Sequence, residues 1–220
     1  YSDFLKIRYV FPGCPHYPCR MTVLHVRDFA IHTGYFPPDA QAALVSDLRE
    51  VLTRAPLIQP VTPRGKPMSV RMSAAGQYGW ISDRKGYRYE ARHPSGVPWP
   101  AIPDRLLRMW QDLVPDARAP ECCLINWYAE DARMGLHQDV DEQDYDCPVL
   151  SVSLGDDALF RMGGESRRDP TRSVWLASGD LVLLTGPSRR AFHGIDRLRP
   201  GTSTLFPDGG RLNLTLRVVT

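Results

Sequence analysis

The sequence lacks any long apolar run and any regular cysteine framework. No apolar stretch approaches the roughly 18 residues of a membrane span, and residues 1–20 show neither the apolar core nor the cleavage site of a signal peptide. The five cysteines are an odd number and include the vicinal pair Cys122-Cys123, which is not typical of a disulfide framework. A reducing compartment is the simpler inference, so we expect a cytoplasmic protein without membrane contact.

A strong net charge is also absent. Lysine and arginine total 27 against 25 acidic residues, a net charge of +2 that does not by itself indicate nucleic-acid binding. Of these 27 cations, 24 are arginines, which favours bidentate contacts with phosphate or carboxylate, although a GC-rich genome produces the same bias. The length of 220 residues fits one domain, and the 20 prolines favour loops and strand edges over long helices.

Two helices and a strand-rich second half are predicted. The first helix starts at Pro38-Asp39-Ala40 and ends near Arg54, and the second runs from about Pro103 to Val114. The second helix is expected to bury Leu106, Leu107, Trp110 and Leu113. Strands are predicted at 23–29, 121–128, 148–154, 158–162, 173–177, 180–185 and 211–219, with Ser178-Gly179 as a hairpin turn. This order indicates an α+β fold with a double-sheet jelly roll and flanking N-terminal helices.

One domain is expected from residue 21 to residue 220, after an irregular extension over residues 1–20. Cys14, His16 and Cys19 lie in that extension, but a Cys-x-x-Cys pair with a distant partner is missing. The spacing therefore does not favour a zinc site there.

The stretch 64–92 is locally basic. Seven cations face only Asp83 and Glu90, a local charge of 7 − 2 = +5. The cations are Arg64, Lys66, Arg71, Arg84, Lys85, Arg88 and Arg92, and the interleaved aromatics are Tyr78, Trp80, Tyr87 and Tyr89. Cations that contact phosphate beside rings that stack on bases are typical of a nucleic-acid groove. A solvated hairpin whose aromatics pack into the core is the alternative.

The triplet His137-Gln138-Asp139 carries the most specific chemistry. Residues two apart on an extended strand share a face, so the imidazole and the carboxylate can bind one metal ion, and the distant His193 can complete the set. Two His and one carboxylate with open positions opposite suit Fe(II) that also binds a cosubstrate and O₂. A His-x-Asp triplet arises readily by chance, so the triplet needs support from elsewhere.

Two further strands alternate in the same way. Arg211, Asn213, Thr215 and Arg217 share one face of the last strand. They form either a solvent-facing edge or a clamp for a dicarboxylate. Asn126 and Tyr128 share a face of an earlier strand, and a buried amide and phenol need partners, which a bound anion can supply.

Taken in order, these motifs resemble the AlkB family of Fe(II)- and 2-oxoglutarate-dependent dioxygenases over roughly residues 21–219. The motifs are Asn126-x-Tyr128, His137-x-Asp139-x-Asp141, Ser151 to Gly155, Phe192-His193-Gly194 and Arg211-x-Asn213-Leu214-Thr215-x-x-Arg217. The resemblance implies a double-stranded β-helix core, Fe(II) on His137, Asp139 and His193, and 2-oxoglutarate on Asn126, Tyr128, Arg211, Asn213 and Arg217. It also implies a substrate pocket formed by Met72, Trp80, Tyr87, Asp141 and Arg167, with residues 64–92 as a nucleotide-recognition lid.

The function that the resemblance implies is oxidative demethylation of N-alkylated bases such as 1-methyladenine and 3-methylcytosine. The expected substrate is alkylated single- or double-stranded DNA, with RNA left open, and the reaction couples formaldehyde release to decarboxylation of 2-oxoglutarate to succinate. We expect a monomer. The alternative for Asp141 is a solvated acid in a turn with Glu142, Asp144 and Asp146. The alternative function is a 2-oxoglutarate-dependent hydroxylase acting on a protein, lipid or small molecule, and the third is a binding module without catalysis.

Overall fold

The computed structural model describes the backbone of residues 6–7 and the whole of residues 22–220. The rest of the predicted extension, including Cys14, His16 and Cys19, lies outside the described residues. Among the described residues no helix has both the length and the apolar character needed to cross a membrane.

The first helix, α1, spans Pro38–Arg54 as predicted. Proline at the first helical position leaves no additional amide unpaired, and the acidic Asp39 in the first turn complements the helix dipole. Ala40, Leu44 and Leu48 recur every four residues and are all buried. The apolar face therefore fixes how α1 lies on the sheet.

The second helix, α2, spans Asp104–Leu113, so its prediction is confirmed to within one residue at each end. Its buried residues are Leu106, Met109 and Trp110. The prediction that Leu107 is buried was wrong, because its side chain points away from the sheet and is 37% exposed. The helix packs through positions i, i+3 and i+4, a narrower face than the predicted one.

In the residues that the structure describes, fourteen strands form two packed sheets and a separate hairpin. The strands are β1 (Lys6–Ile7), β2 (Thr22–Val26), β3 (Phe29–Thr33), β4 (Arg71–Gly76), β5 (Gly79–Asp83), β6 (Gly86–Glu90), β7 (Cys122–Tyr128), β8 (Met134–His137), β9 (Val149–Gly155), β10 (Asp157–Met162), β11 (Arg172–Leu176), β12 (Leu181–Leu184), β13 (His193–Arg199) and β14 (Arg211–Arg217). The large sheet has the order β1-β2-β3-β12-β9-β14-β7-β4, the small sheet the order β11-β10-β13-β8, and β5 pairs with β6 alone. A short 3-10 helix, Gly186–Arg190, precedes β13.

The predicted jelly roll is confirmed, but two local predictions were wrong. The strand predicted at 23–29 is interrupted by a tight turn in which Arg27 has a φ of 53°, so β2 and β3 form a hairpin. Ser178-Gly179 does not join two paired strands, because β11 and β12 lie in different sheets. This turn instead carries the chain from the small sheet to the large one. Gly179 is required there, since its φ is 89° and a Cβ would lie 2.3 Å from the Phe36 carbonyl oxygen.

The two faces of β14 serve different layers. Leu212, Leu214 and Leu216 pack against α1 and α2 in one apolar cluster. A second apolar cluster, including Phe29, Phe160 and others, fills the space between the two sheets. The polar face of β14 therefore points into the interior of the jelly roll.

Candidate active site

The two histidines of the predicted metal set are brought together by strand pairing. His137 ends β8 and lies opposite His193 of β13, and their ring centroids are 4.6 Å apart. Asp139 follows two residues after the end of β8. The Nε2 atom of His137 is 3.7 Å from Oδ1 of Asp139, and that of His193 is 3.6 Å from Oδ2. One ligand atom from each of the three residues thus lies within 4.8 Å of the others.

Both imidazoles are held in the orientation that metal binding needs. The Nδ1 atom of His137 lies 3.0 Å from the Gly135 carbonyl oxygen, and that of His193 lies 3.0 Å from the Ala191 carbonyl oxygen. A carbonyl can only accept, so each Nδ1 donates and each Nε2 keeps its lone pair. Burial, reinforced by the neighbouring His137, lowers the pKa of His193 to about 4. This ring is therefore neutral at pH 7 and able to act as a ligand.

Asp139 offers a single free oxygen. Its Oδ1 accepts a hydrogen bond of 2.9 Å from Nη2 of Arg217, while the buried Oδ2 has no partner. Burial alone would raise the pKa of Asp139, but the adjacent Arg217 guanidinium holds it well below its usual range. Two imidazole nitrogens and one carboxylate oxygen form the donor set that suits Fe(II), and a buried oxygen without a hydrogen-bond partner within that set fits a bound cation.

Arg217 is held by partners that the sequence did not indicate. Its Nη1 donates to Oε1 of Glu142 over 2.8 Å, and Glu142 also pairs with Arg189 over 3.0 Å. Burial alone would raise the pKa of Glu142, but Arg217 lowers it. Sequence reasoning placed Glu142 in an acidic turn and assigned no role to Arg189, which adjoins another arginine. Neither residue carries a local pattern that separates it from an exposed charge.

Arg211, at the other end of β14, lacks comparable partners. Its Nη2 donates to Oγ of Ser153 over 3.0 Å, and its guanidinium carbon lies 5.1 Å from the centre of the Tyr128 ring. Nε and Nη1 are buried and unpartnered. Burial lowers the pKa of Arg211, but an arginine stays protonated in proteins. A buried cation with two unpartnered nitrogens can accept an anion.

Polar side chains line the sheet between the two arginines. Asn213 donates to Oγ of Ser151 over 2.7 Å and to the Val152 carbonyl over 3.1 Å. Asn126 donates to Oδ1 of Asn213 over 3.4 Å, while its own oxygen has no partner. The solvent-edge alternative for β14 is excluded, because the strand lies between β9 and β7 and its polar face is buried.

The hairpin of β5 and β6 covers the opening of the site. Trp80 stacks on Tyr87 with ring centroids 5.4 Å apart and planes 16° apart, and its Nε1 donates to Oδ2 of Asp141 over 2.7 Å. Tyr87 is 51% exposed. Asp141 is therefore exposed, as the solvated alternative predicted, but it also accepts a specific hydrogen bond from Trp80 of the hairpin.

All thirteen predicted site residues line one cavity of about 440 Å³. It runs from Arg211 past the metal triad to the hairpin, with Met72 buried in its wall. Arg167 lies at the mouth, with its guanidinium 4.9 Å from the centre of the Phe192 ring. The structure thus joins the metal, anion and aromatic features in one space.

The basic charge of residues 64–92 is partly neutralised within the hairpin. Arg88 pairs with Asp83 over 2.9 Å and with Glu90 over 2.6 Å, so both acids of the stretch are taken by one arginine. Six cations remain exposed without an ion pair in the described part of the chain: Arg64, Lys66, Arg71, Arg84, Lys85 and Arg92. The stretch that carries the exposed Tyr87 ring therefore keeps an excess of exposed positive charge. The stretch forms a hairpin and keeps the ingredients of a nucleic-acid groove.

Comparison with known proteins finds matches in sequence and in structure. The family model of the 2OG-Fe(II) oxygenase superfamily matches residues 28–217. The alpha-ketoglutarate-dependent dioxygenase AlkB homolog of Caulobacter vibrioides is 53% identical, over 87% of this chain and 88% of its own. Alpha-ketoglutarate-dependent dioxygenase AlkB of Escherichia coli is 42% identical, over 83% and 86%. The solved structure of OsALKBH1 superposes with a TM-score of 0.75 at 27% identity, covering 89% of this chain and 99% of that one.

Proposed function

The chain belongs to the AlkB family of the 2OG-Fe(II) oxygenase superfamily, and from this we propose that it removes alkyl groups from the ring nitrogens of nucleic-acid bases. It is a 2-oxoglutarate-dependent dioxygenase that uses Fe(II), 2-oxoglutarate and O₂. The proposed substrates are bases such as 1-methyladenine and 3-methylcytosine in DNA and in RNA. The alkyl carbon leaves as formaldehyde while 2-oxoglutarate becomes succinate and CO₂.

The observation that carries the proposal is the shared cavity of the metal triad, the unpartnered Arg211 and the aromatic hairpin. His137, Asp139 and His193 hold Fe(II) through two Nε2 atoms and the free Oδ2. When bound there, Fe(II) couples the decarboxylation of 2-oxoglutarate by O₂ to oxidation of the alkyl carbon. The carbonyl partners of both Nδ1 atoms keep the lone pairs aimed at the metal.

Arg211 binds the carboxylate of 2-oxoglutarate that lies away from the metal. Its guanidinium fork has two unpartnered nitrogens, Nε and Nη1, whose N–H groups can donate to a carboxylate. Tyr128, Asn126 and Asn213 line the path between this fork and the metal. Arg217 faces the metal end, where its Nε is also unpartnered. The distal carboxylate of 2-oxoglutarate therefore binds at Arg211, which has no carboxylate partner, and the other end lies near Arg217, which is already paired with Asp139 and Glu142.

The alkylated base enters on the hairpin side. Trp80 and Tyr87 provide π faces for stacking, and the Asp141 carboxylate favours a base that is cationic or presents an exocyclic amine. Met72 contributes an apolar wall and Arg167 a cation at the mouth. Methylation of N1 of adenine or N3 of cytosine blocks pairing, which lowers the free energy needed to flip that base from the stack. Residues 64–92 act as the nucleotide-recognition lid.

The enzyme also acts as a monomer in the cytoplasm. All thirteen candidate site residues belong to this chain's own sequence, and Cys122, Cys123 and Cys147 are free buried thiols, which suits a reducing compartment. Residues 21–220 form one catalytic domain in this proposal. Size-exclusion chromatography with light scattering tests the monomer, and fractionation of the source cells tests the compartment.

The direct test measures succinate and formaldehyde released from a single-stranded oligonucleotide carrying 1-methyladenine, with Fe(II), 2-oxoglutarate and ascorbate. Wild type should demethylate the base, His137→Ala should not, and the exposed His25→Ala should match wild type. Parallel reactions with an RNA oligonucleotide and with a duplex rank the substrates. Succinate formed without loss of the methyl group would instead support a hydroxylase of a protein, lipid or small molecule.

A further inference from the structure

A buried charged cluster lies behind the metal carboxylate and extends to the hairpin that covers the substrate opening. It consists of Glu142, Arg217, Arg189 and Tyr89 around Asp139. We propose that Glu142 and Tyr89 are positioning residues: through the two arginines they hold Asp139 with one oxygen free for the metal, and they couple that ligand to the hairpin. The inference rests on the metal site of the proposed function.

Glu142 orients both arginines. Its side chain has no exposed surface, and each carboxylate oxygen pairs with a different cation, Oε1 with Arg217 at 2.8 Å and Oε2 with Arg189 at 3.0 Å. Two carboxylates and two guanidinium groups make the cluster electrically neutral, which a buried group of charges requires. If either arginine turned away, one buried oxygen of Glu142 would lose its cation.

Each arginine then contacts a different part of Asp139. Arg217 donates from Nη2 to Oδ1 over 2.9 Å, and Arg189 donates from Nη1 to the main-chain oxygen over 2.7 Å. Both the side chain and the backbone of the ligand residue are thus fixed, while Oδ2 stays free. Without Glu142, the second nitrogen of Arg217 could approach Oδ2. The resulting two-point pair would compete with the metal for the ligand oxygen.

Tyr89 connects this cluster to the hairpin. Its hydroxyl donates to Oε1 of Glu142 and lies 3.2 Å from Nη1 of Arg217. Tyr89 pairs with Trp80 across β5 and β6, and Trp80 donates to the preceding acid, Asp141. Two cross-strand neighbours of the hairpin, Trp80 and Tyr89, therefore bind two consecutive acids, Asp141 and Glu142, in the loop that carries Asp139. A displacement of the hairpin is transmitted to Asp139 through Tyr89, Glu142 and Arg217.

The test measures Co²⁺ binding by the full chain under anaerobic conditions, by titration calorimetry and by the visible absorption of the bound ion. In Glu142→Gln an amide NH₂ faces one of the two arginines, so Co²⁺ affinity should fall about tenfold or more. Tyr89→Phe removes one hydroxyl, and affinity should fall about two- to tenfold. Both variants should alter the visible spectrum in the same direction, because both change how Asp139 coordinates.

Glu50→Gln, on the exposed side of α1, and Tyr78→Phe, beside the hairpin, are the matched controls and should leave affinity and spectrum unchanged. Variants that lose thermal stability but keep the wild-type affinity and spectrum would overturn the proposal, because the cluster would then only stabilise the fold. An effect of Glu142→Gln without one of Tyr89→Phe would overturn the coupling to the hairpin. If Glu142→Gln does not fold, Tyr89→Phe alone decides. Failure of wild type to bind Co²⁺ would refute the metal site itself.

Discussion

The two ends of β14 carry the same residue type, arginine, in two different electrostatic environments. Arg211 and Arg217 lie on one face of one strand, six residues apart, and both are buried. Arg217 pairs with two carboxylates at 2.9 Å and 2.8 Å. Arg211 interacts with the Ser153 hydroxyl and the Tyr128 side chain, neither of them a carboxylate, and two of its nitrogens have no hydrogen-bond partner. The charge of Arg217 is balanced by two carboxylates of the protein, although its Nε has no partner, whereas no carboxylate pairs with Arg211 in the described part of the chain.

This difference separates an arginine that organises the site from one that binds a ligand. A buried ion pair whose partner is removed destabilises the fold strongly, because the remaining charge is left unpaired. A buried cation that already lacks partners is unfavourable in the empty protein and becomes favourable when an anion binds. One strand therefore combines a structural cation beside the metal with a binding cation at the far end of the cavity.

The largest expected effect is on stability, in Arg217→Met. Methionine keeps much of the volume but leaves Asp139 and Glu142 buried without their shared cation. The free energy of unfolding of the metal-free protein should fall by about 3–5 kcal/mol. Urea denaturation followed by circular dichroism measures it. A loss below about 1 kcal/mol would contradict the assignment of Arg217 as the end of the strand whose charge is balanced by the protein.

Arg211→Met should give the opposite pattern. No carboxylate loses a partner, so the stability of the empty protein should stay equal to that of wild type or increase. The affinity for 2-oxoglutarate should fall by about 2–5 kcal/mol, which is roughly 30-fold or more. Calorimetry of 2-oxoglutarate binding in the presence of Mn²⁺ provides the measurement. Wild-type affinity in this variant would show that the free N–H groups of Arg211 do not receive the distal carboxylate.

Acid should also distinguish the two ends. Burial alone would raise the folded pKa of both Asp139 and Glu142, but Arg217 depresses the pKa of both carboxyls. The unfolded chain then binds more protons, so this contribution is complete above the unfolded pKa of about 4.3 and is lost as the pH falls through the lower folded value. The acid loss of stability should be smaller in Arg217→Met and unchanged in Arg211→Met.

The measurement is the urea midpoint of the metal-free proteins from pH 7 to pH 3. Burial lowers the pKa of both His32 and His193 to about 4, so all three proteins should lose stability between about pH 6.5 and 4. Only the difference between the variants below that range is diagnostic. Parallel curves for wild type and Arg217→Met would contradict the role assigned to Glu142.

The two arginines also show which properties can be predicted from the sequence and which cannot. Alternation with period two correctly predicted that Arg211 and Arg217 share a face, because that property depends only on the strand. Their difference depends on Glu142 and Ser153, which approach from other parts of the chain. Strand pairing that unites His137 with His193 is equally non-local. The order of the motifs in the sequence implied that these residues lie close together. Their individual hydrogen-bond and ion-pair partners could be identified only from the three-dimensional structure.

The missed and misplaced elements have similar causes. β4, β8 and β13 are short or carry few β-branched residues, so their local signals were weak, and the pairing partners decide their conformation. Ser178-Gly179 has the composition of a hairpin turn but connects two sheets. Leu107 fits an apolar helix pattern and yet lies on the outer side of α2. In each case the local pattern was compatible with two arrangements, and packing selected one.

The smallest expected effect lies outside β14, at the exposed ring of Tyr87. Its replacement should change neither the stability that depends on Arg217 nor the 2-oxoglutarate affinity that depends on Arg211. Tyr87→Ala removes a stacking face at the cavity mouth, and base stacking contributes about 1–3 kcal/mol. Affinity for a 1-methyladenine oligonucleotide, measured by fluorescence anisotropy with Mn²⁺ and 2-oxoglutarate, should therefore fall roughly 5- to 150-fold. Stability and 2-oxoglutarate affinity should remain at wild-type values, and Leu107→Ala, an exposed apolar control on α2, should leave all three unchanged. A drop in 2-oxoglutarate affinity in Tyr87→Ala would mean that the lid and the Arg211 end of the cavity are not independent. The hairpin would then contribute to cosubstrate binding together with the arginines of β14.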